Sequence, residues 1–231
     1  MNYENTLQGR FLDRPNRFIA HVEVEGRRET VHVKNTGRCR ELLLPDARVT
    51  LTQSDNPNRK TQFDLISVFK PGVGWINIDS QAPNAVVKEW LEHSPALFPS
   101  ITCLKPEKVY GQSRVDFYLE CGERRILMEV KGCTLEKDRV GYFPDAPTQR
   151  GAKHLRELAA ALGEGYESYL AFVIAMPGIH RVLPNREMDP AFGEALDNAR
   201  KAGVQVLFLP CRVEPGSLTV LSAEFEKEGE E

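Results

Sequence analysis

The chain has 231 residues, 41% hydrophobic and 27% charged, enough to bury a core in one large domain or two small ones; wholesale disorder, collagen-like and coiled-coil classes are excluded. No apolar run approaches the ~20 residues of a membrane span, and the opening MNYENTLQGRFLDR lacks the apolar stretch of a secretory leader, so no membrane partner is expected. The formal net charge of −3 comes from residues 224–231, whose five Glu and one Lys leave the remainder at +1 and read as a solvated terminus.

Residues 1–82 predict a small β-domain. Phe18, Ala20, Val22 and Val24 alternate with Ile19, His21, Glu23 and Glu25; Gly26 then makes a turn and Thr30–Val33 returns. Val49 and Leu51 alternate with Thr50 and Thr52, and the runs Leu65–Phe69 and Trp75–Ile78 are rich in β-branched and aromatic residues. Five short strands between polar turns predict a barrel or sandwich. From Pro83 a helix is expected, with Val86, Val87, Trp90 and Leu91 on one face. Segments 104–110, 113–120 and 125–131 read as strands, and 132–147 as a loop. A helix follows at 148–162, with Ala152, Leu155, Leu158, Ala159 and Leu162 on its apolar side and Gly163 at its end. YLAFVIA at 169–175 has the continuous apolar character of a strand buried on both faces, and a helix at 190–202 and a strand at 204–209 complete the pattern. The expected fold is α+β in two domains: a small barrel over 1–82 and a mixed α/β domain over 83–231.

The five cysteines (39, 103, 121, 133, 211) are odd in number and form no Cys-x-x-Cys pair, and the five histidines show no His-x3-His spacing. Neither a disulfide framework nor a zinc ribbon is indicated, and a reduced, cytoplasmic protein is expected.

The most informative stretch runs from Glu107 to Lys131. If Gly111-Gln112 is a two-residue hairpin turn with glycine first, Tyr110 faces Ser113 and Glu107 faces Asp116. If Cys121 to Arg124 is the next loop, Glu120 faces Arg125 and Asp116 faces Glu129; a two-residue loop there would still leave the two on one face, and Lys131 shares that face because strand side chains repeat every two residues. Opposed Cβ atoms lie roughly 4.5–5.5 Å apart, where three carboxylates repel one another. A divalent cation relieves that repulsion, and oxygen ligands suit Mg²⁺ or Mn²⁺. A lysine beside such an ion could polarise water or steady a phosphate's developing charge. The expected metal ligands are thus Glu107, Asp116 and Glu129, and the expected catalytic set Asp116, Glu129 and Lys131. The alternative is an exposed sheet face of mixed charge on which Lys131 pairs with an acid.

Asp116 followed by Glu129-Val130-Lys131 resembles the PD-(D/E)XK nuclease core, although Val115 stands where that motif has proline. Over nearly its full length the chain resembles the sugar fermentation stimulation protein A family. The matching stretches are Arg17-Phe-Ile-Ala, Asn35-Thr-Gly, Tyr110-Gly-Gln-Ser-Arg-Val-Asp-Phe, Met128-Glu-Val-Lys, GYFPDAPTQRGAKHLREL at 141–158 and Asp189-Pro-Ala-Phe. The resemblance implies an OB-like first domain and a PD-(D/E)XK nuclease-like second domain. It also implies non-specific DNA binding and a role in regulating sugar, notably maltose, metabolism; it does not by itself establish cleavage.

Further candidates are basic. Arg150 and Lys153 share the helix at 148–162 with Gln149, where a helix N-terminus favours phosphate. His154 reads as a satisfied surface histidine, with a general base as the alternative, and Asp145 as a turn or cap residue, with approach to the metal as the alternative. In the barrel Arg17, Asn35, Thr36, Arg38, Arg40, Arg59 and Lys60 flank strands. Phe18, Phe63, Phe69 and Trp75 alternate as core residues do, so binding through phosphates, tolerant of sequence, is expected over base stacking. Three functions stay open: a DNA-binding, metal-dependent phosphodiesterase; a non-catalytic DNA-binding module that keeps a nuclease scaffold; and a small-ligand sensor, which no phosphate-binding glycine loop supports. A homo-oligomer is compatible with each.

Overall fold

The computed structural model of the chain describes residues 1–35, 37–93 and 95–226; Thr36 and residues 227–231 of the acidic segment lie outside the described residues. Six strands, β1 (Thr6–Asn16), β2 (Ile19–Val24), β3 (Arg27–Val33), β4 (Arg48–Gln53), β5 (Phe63–Lys70) and β6 (Gly74–Asn77), make the first sheet, in the order β3-β2-β1-β4-β5-β6. Parallel pairing of β3 with β5, at His32 with Asp64 and Val33 with Leu65, closes five of them into an OB-like barrel. Ala20, Val22, Val31, Val33, Val49, Leu51 and Leu65 fill the interior and are fully buried.

The hydropathy pattern anticipates β2 to β6 and misses β1. Its inward positions are Leu7, Gly9 and Phe11, and the glycine removes the apolar signal. The barrel requires it: a Cβ at residue 9 would stand 2.5 Å from Val22 Cγ1 and 2.8 Å from the Glu23 carbonyl oxygen.

The second domain begins with α1 (Ala82–Glu92), five residues beyond the end of β6, with Pro83 in its first turn. Then come β7 (Ile101–Tyr110), β8 (Ser113–Cys121), β9 (Arg124–Cys133), the hairpin β10 (Leu135–Lys137) and β11 (Val140–Phe143), α2 (Gln149–Leu162), β12 (Glu167–Ile174), β13 (Val182–Pro184), α3 (Pro190–Ala202), β14 (Gln205–Glu214), β15 (Ser217–Val220) and β16 (Glu224–Phe225). The main sheet runs β15-β14-β12-β9-β8-β7, with β16 also on β14. Its centre is parallel, β12 lying between β9 and β14, and β12 is buried on both faces as its apolar run predicts. The segment 132–147, expected as a loop, contains β10 and β11. These strands are three and four residues long, and β11 is held by parallel pairing with the distant β13, which local pattern cannot show.

Two helix starts share one side chain. Thr148 caps α2, accepting from Gly151 N at 3.1 Å. Asp189 caps α3 through Phe192 N (2.9 Å), and its second oxygen accepts from Thr148 N (2.7 Å). The helices α2 and α3 cover one face of the sheet, and their buried side chains, among them Leu155, Leu158, Phe192 and Leu196, join the barrel interior in a continuous apolar cluster. The other face packs under α1, where Val86, Val87, Leu91 and Phe98 meet Phe117, Met128 and Tyr169. Asn77 N donates to the Ala175 carbonyl (3.1 Å) and Ser67 Oγ to that of Pro215 (2.8 Å), tying barrel to sheet.

Candidate active site

The hairpin registers place the site. Tyr110 pairs with Ser113, Val109 with Arg114 and Lys108 with Val115 around Gly111, whose φ of +57° suits the first position of a type II′ turn. Cys121 pairs with Arg124 across a second two-residue turn led by Gly122, and Glu120–Arg125 and Phe117–Met128 keep the expected register. Asp116 and Glu129 are therefore neighbours, one step beyond the last paired residues.

Here the carboxylate of Asp116 takes the place of a ladder carbonyl. Its Oδ2 accepts from Val130 N (2.7 Å) and its Oδ1 from Asn84 Nδ2 of α1 (2.8 Å). Glu129 is almost wholly buried. Its Oε1 accepts from Lys131 Nζ at 2.5 Å and from His154 Nδ1 of α2, while its Oε2 is buried without a hydrogen-bond partner. His154 is buried as well, not at the surface as expected, because the apolar face of α2 turns it onto the sheet. Its Nε2 receives Arg150 Nε at 3.2 Å. Burial and the charge of Glu129 push the Asp116 carboxyl up, against the hydrogen bonds from Val130 and Asn84. Burial acts on Glu129 in the same direction, but His154 and Lys131 outweigh it and hold the group below its ordinary value. The firm negative charge of the pair thus sits on Glu129.

The third expected ligand does not join them. Glu107 has a φ of +51°, which turns its side chain out of the strand's regular alternation; it is exposed and meets Arg114 at 3.4 Å. Among the described residues no group of three or more His, Cys, Asp and Glu side chains is arranged to hold a metal ion. Asp116 and Glu129 fit the mode in which one or two carboxylates hold Mg²⁺ or Mn²⁺ and water or phosphate oxygens complete the shell. The unpartnered Glu129 Oε2 is the observation that favours this, since buried polar atoms are ordinarily satisfied.

Arg150 and Lys153 are exposed at the start of α2 and, with Gln112, Ser113, Arg114 and His154, line a groove of about 700 Å³ beside the pair. In the barrel, Arg17, Arg38 and Arg40 are exposed around a depression of about 290 Å³. Phe18, expected in the core, is 46% exposed, and the Arg17 guanidinium stacks 4.8 Å from its ring centre. Two predicted DNA ligands are occupied by the fold. The Asn35 amide donates to the Ile78 carbonyl (2.9 Å) and accepts from Gly37 N (2.7 Å). Arg59 forms a two-pronged pair with buried Asp64 at 2.6 and 3.0 Å, whereas neighbouring Lys60 is exposed. Nothing in the local sequence separates Arg59 from Lys60; the difference arises because barrel closure brings Asp64 within reach of one and not the other. Arg14 donates to the carbonyls of Arg17, Asn35, Gly37 and Arg38 and so shapes the basic loop. Sequence reasoning missed Asn84 and Arg14 in these roles, since neither carries a local signal.

Two predictions follow from these contacts. Burial favours protonation of Asp64, but Arg59, Lys34 and His32 outweigh it and hold the carboxyl at about 2 against an ordinary 3.8. The ionised form therefore stabilises the fold above pH 3.8, and that contribution disappears as the pH falls through about 2. Asp64→Asn is expected to cost about 1–2 kcal/mol near neutrality, allowing for screening at the half-exposed partners. Urea unfolding of both proteins should show the gap closing in acid; a constant gap would contradict the assignment. The second concerns Gly37, where a Cβ would stand 2.1 Å from Asp145 Oδ2. Gly37→Ala must displace that carboxylate and should lower stability by about 1–3 kcal/mol in thermal unfolding, as overpacking does.

A closed OB-like barrel leading into an αβββαβ unit, with the hairpin β10–β11 set in before its second helix and with Asp on one strand and Glu-x-Lys on the next, defines a barrel-plus-PD-(D/E)XK-like class of protein. The comparisons narrow it. The family model of the SfsA N-terminal OB domain matches residues 12–78, and that of the sugar fermentation stimulation protein RE domain matches residues 81–217. The sugar fermentation stimulation protein homologue of Desulfitobacterium hafniense is 52% identical over 218 residues, covering 94% of each chain. That of Ruminiclostridium cellulolyticum is 50% identical over 220 residues, covering 95% of this chain and 96% of its own. The structure of Pyrococcus furiosus SfsA in complex with Ca²⁺ is 27% identical and superposes with a TM-score of 0.84 over 96% of both chains. The chain belongs to the sugar fermentation stimulation protein family.

Proposed function

We propose that this protein binds DNA without strong sequence preference, in the cytoplasm, and hydrolyses phosphodiester bonds at Asp116, Glu129 and Lys131 with Mg²⁺ or Mn²⁺. The observation that carries the reading is Glu129: a buried carboxylate, held on one oxygen by Lys131 and His154, with the other oxygen free of any partner. A carboxylate kept ionised at that depth costs desolvation, which an oxygen-bound cation offsets. That the Pyrococcus furiosus relative was solved with Ca²⁺, another cation of oxygen sites, supports it.

In this reading Asp116 and Glu129 hold the ion, which supplies Lewis-acid polarisation of a phosphoryl oxygen and of water. Asn84 and the Val130 amide orient Asp116. Lys131, whose side chain is 16% exposed, can turn from Glu129 towards the charge that builds on the phosphate. Arg150 and Lys153 meet the DNA backbone along the groove beside α2, and Arg17, Arg38 and Arg40 extend that contact on the barrel.

The convergence of two carboxylates rather than three favours a second reading, a DNA-binding module that retains the scaffold without cleavage. Duplex, single-stranded and branched DNA incubated with the protein and Mn²⁺, Mg²⁺ or a chelator separates the two. Metal-dependent nicking supports the nuclease. Metal binding with every substrate left intact supports the module.

A further inference from the structure

We infer that His154 is a positioning residue that turns Glu129 so that Oε2 alone faces the cation. The inference rests on reading Asp116 and Glu129 as the divalent-metal pair, and it excludes His154 as a general base.

Hydrogen-bond valence fixes the tautomer of His154. Arg150 Nε always carries a hydrogen, so at 3.2 Å from His154 Nε2 it is the donor and Nε2 is the lone-pair nitrogen. The imidazole proton is then on Nδ1, which donates to Glu129 Oε1. Both ring nitrogens are engaged, and none remains to accept a proton from water. Lys131 Nζ donates to the same Oε1 at 2.5 Å. Two donors on one oxygen fix the carboxylate's rotation and leave Oε2 without a partner. His154 is itself buried in α2, whose first turn is capped by Thr148, so the support is rigid. The relay Arg150–His154–Glu129 is the reverse of the familiar carboxylate behind a metal-bound histidine: here an imidazole orients an oxygen ligand.

The test uses the full chain without DNA. A nitrogen–proton correlation spectrum of the imidazole should show His154 protonated on Nδ1 and bare on Nε2. Calorimetric titration with Mn²⁺ alone should show His154→Ala and His154→Gln binding about 10–100-fold more weakly than the natural protein, the usual cost of losing an outer partner of a ligand. His154→Asn should restore most of the affinity, because its amide nitrogen takes the place of Nδ1 and donates, whereas that of glutamine takes the place of Nε2. A merely structural role would move the melting temperature without this split between Asn and Gln. A proton on Nε2, or equal Mn²⁺ affinity in the natural, Gln and Asn proteins, overturns the inference while leaving the metal pair intact. Absence of Mn²⁺ binding by the natural protein overturns the metal reading itself and the inference with it. If the alanine variant does not fold, the spectrum and the Asn–Gln comparison still decide.

Discussion

Asp116→Asn and Glu129→Gln should each abolish metal-dependent cleavage and weaken Mn²⁺ binding by more than the ~10–100-fold that loss of an outer partner costs. Both changes keep side-chain shape and remove charge. DNA affinity should hold or rise, because a negative group facing phosphate has gone. The two variants should differ in stability. Asp116 accepts on both oxygens, from Val130 N and Asn84 Nδ2, so an amide there keeps both bonds once Asn84 turns its own oxygen towards it, and the cost is confined to that exchange. Glu129 is ionised and buried between Lys131 and His154, so glutamine leaves Lys131 without its counter-charge. Lys131→Ala removes one of the two donors to Glu129 Oε1, so it should still bind the metal, weakened by no more than the ~10–100-fold of a lost outer partner, and lose cleavage by about 10²–10³-fold, the scale of removing one group that stabilises transition-state charge. Calorimetry and a nicking assay on the same preparations check all three. Retained cleavage in Glu129→Gln would remove the site from this pair of strands.

The second large effect is on salt. Exposed Arg17, Arg38, Arg40, Arg150 and Lys153 lie on two patches joined where Gly37 packs on Asp145, four residues ahead of α2. Engagement of both patches on duplex implies about five or six phosphate contacts, hence a log–log salt slope near −5 and a loss of roughly 10³-fold between about 50 and 200 mM salt. Removing charge at Arg17, Arg38 or Arg150 should make the slope shallower by about one unit each and weaken all sequences alike. Arg59→Gln, by contrast, should act through stability, since that guanidinium is held by Asp64. A salt-independent affinity, or strong preference for one operator, would contradict the phosphate-contact reading.

The carboxylate pair was legible because two tight turns transmit register. Each Gly-led two-residue turn sets the partner of every residue in its hairpin, and counting along the chain brings Asp116 beside Glu129. The same count fails at Glu107, whose own pairing neighbours, Lys108–Val115 and Pro106–Phe117, keep the register while its left-handed backbone turns the carboxylate away. Register predicts which residues are opposite; it does not report a local twist of the chain.

Alternation and helical period by themselves determined the barrel strands β2 to β6, the three helices and the buried strand β12, because each element buries a face and writes that face into its sequence. Short β10 and β11, and β1 with its Gly9, depend on partners distant in the chain and only the assembled structure supplies them. The roles of the polar residues were decided the same way. Arg59 and Lys60, or His154 and Arg156, differ little as letters. Tertiary packing sets Asp64 beside one arginine and Glu129 beside one histidine, and a buried charge takes whatever partner the fold brings within hydrogen-bond reach.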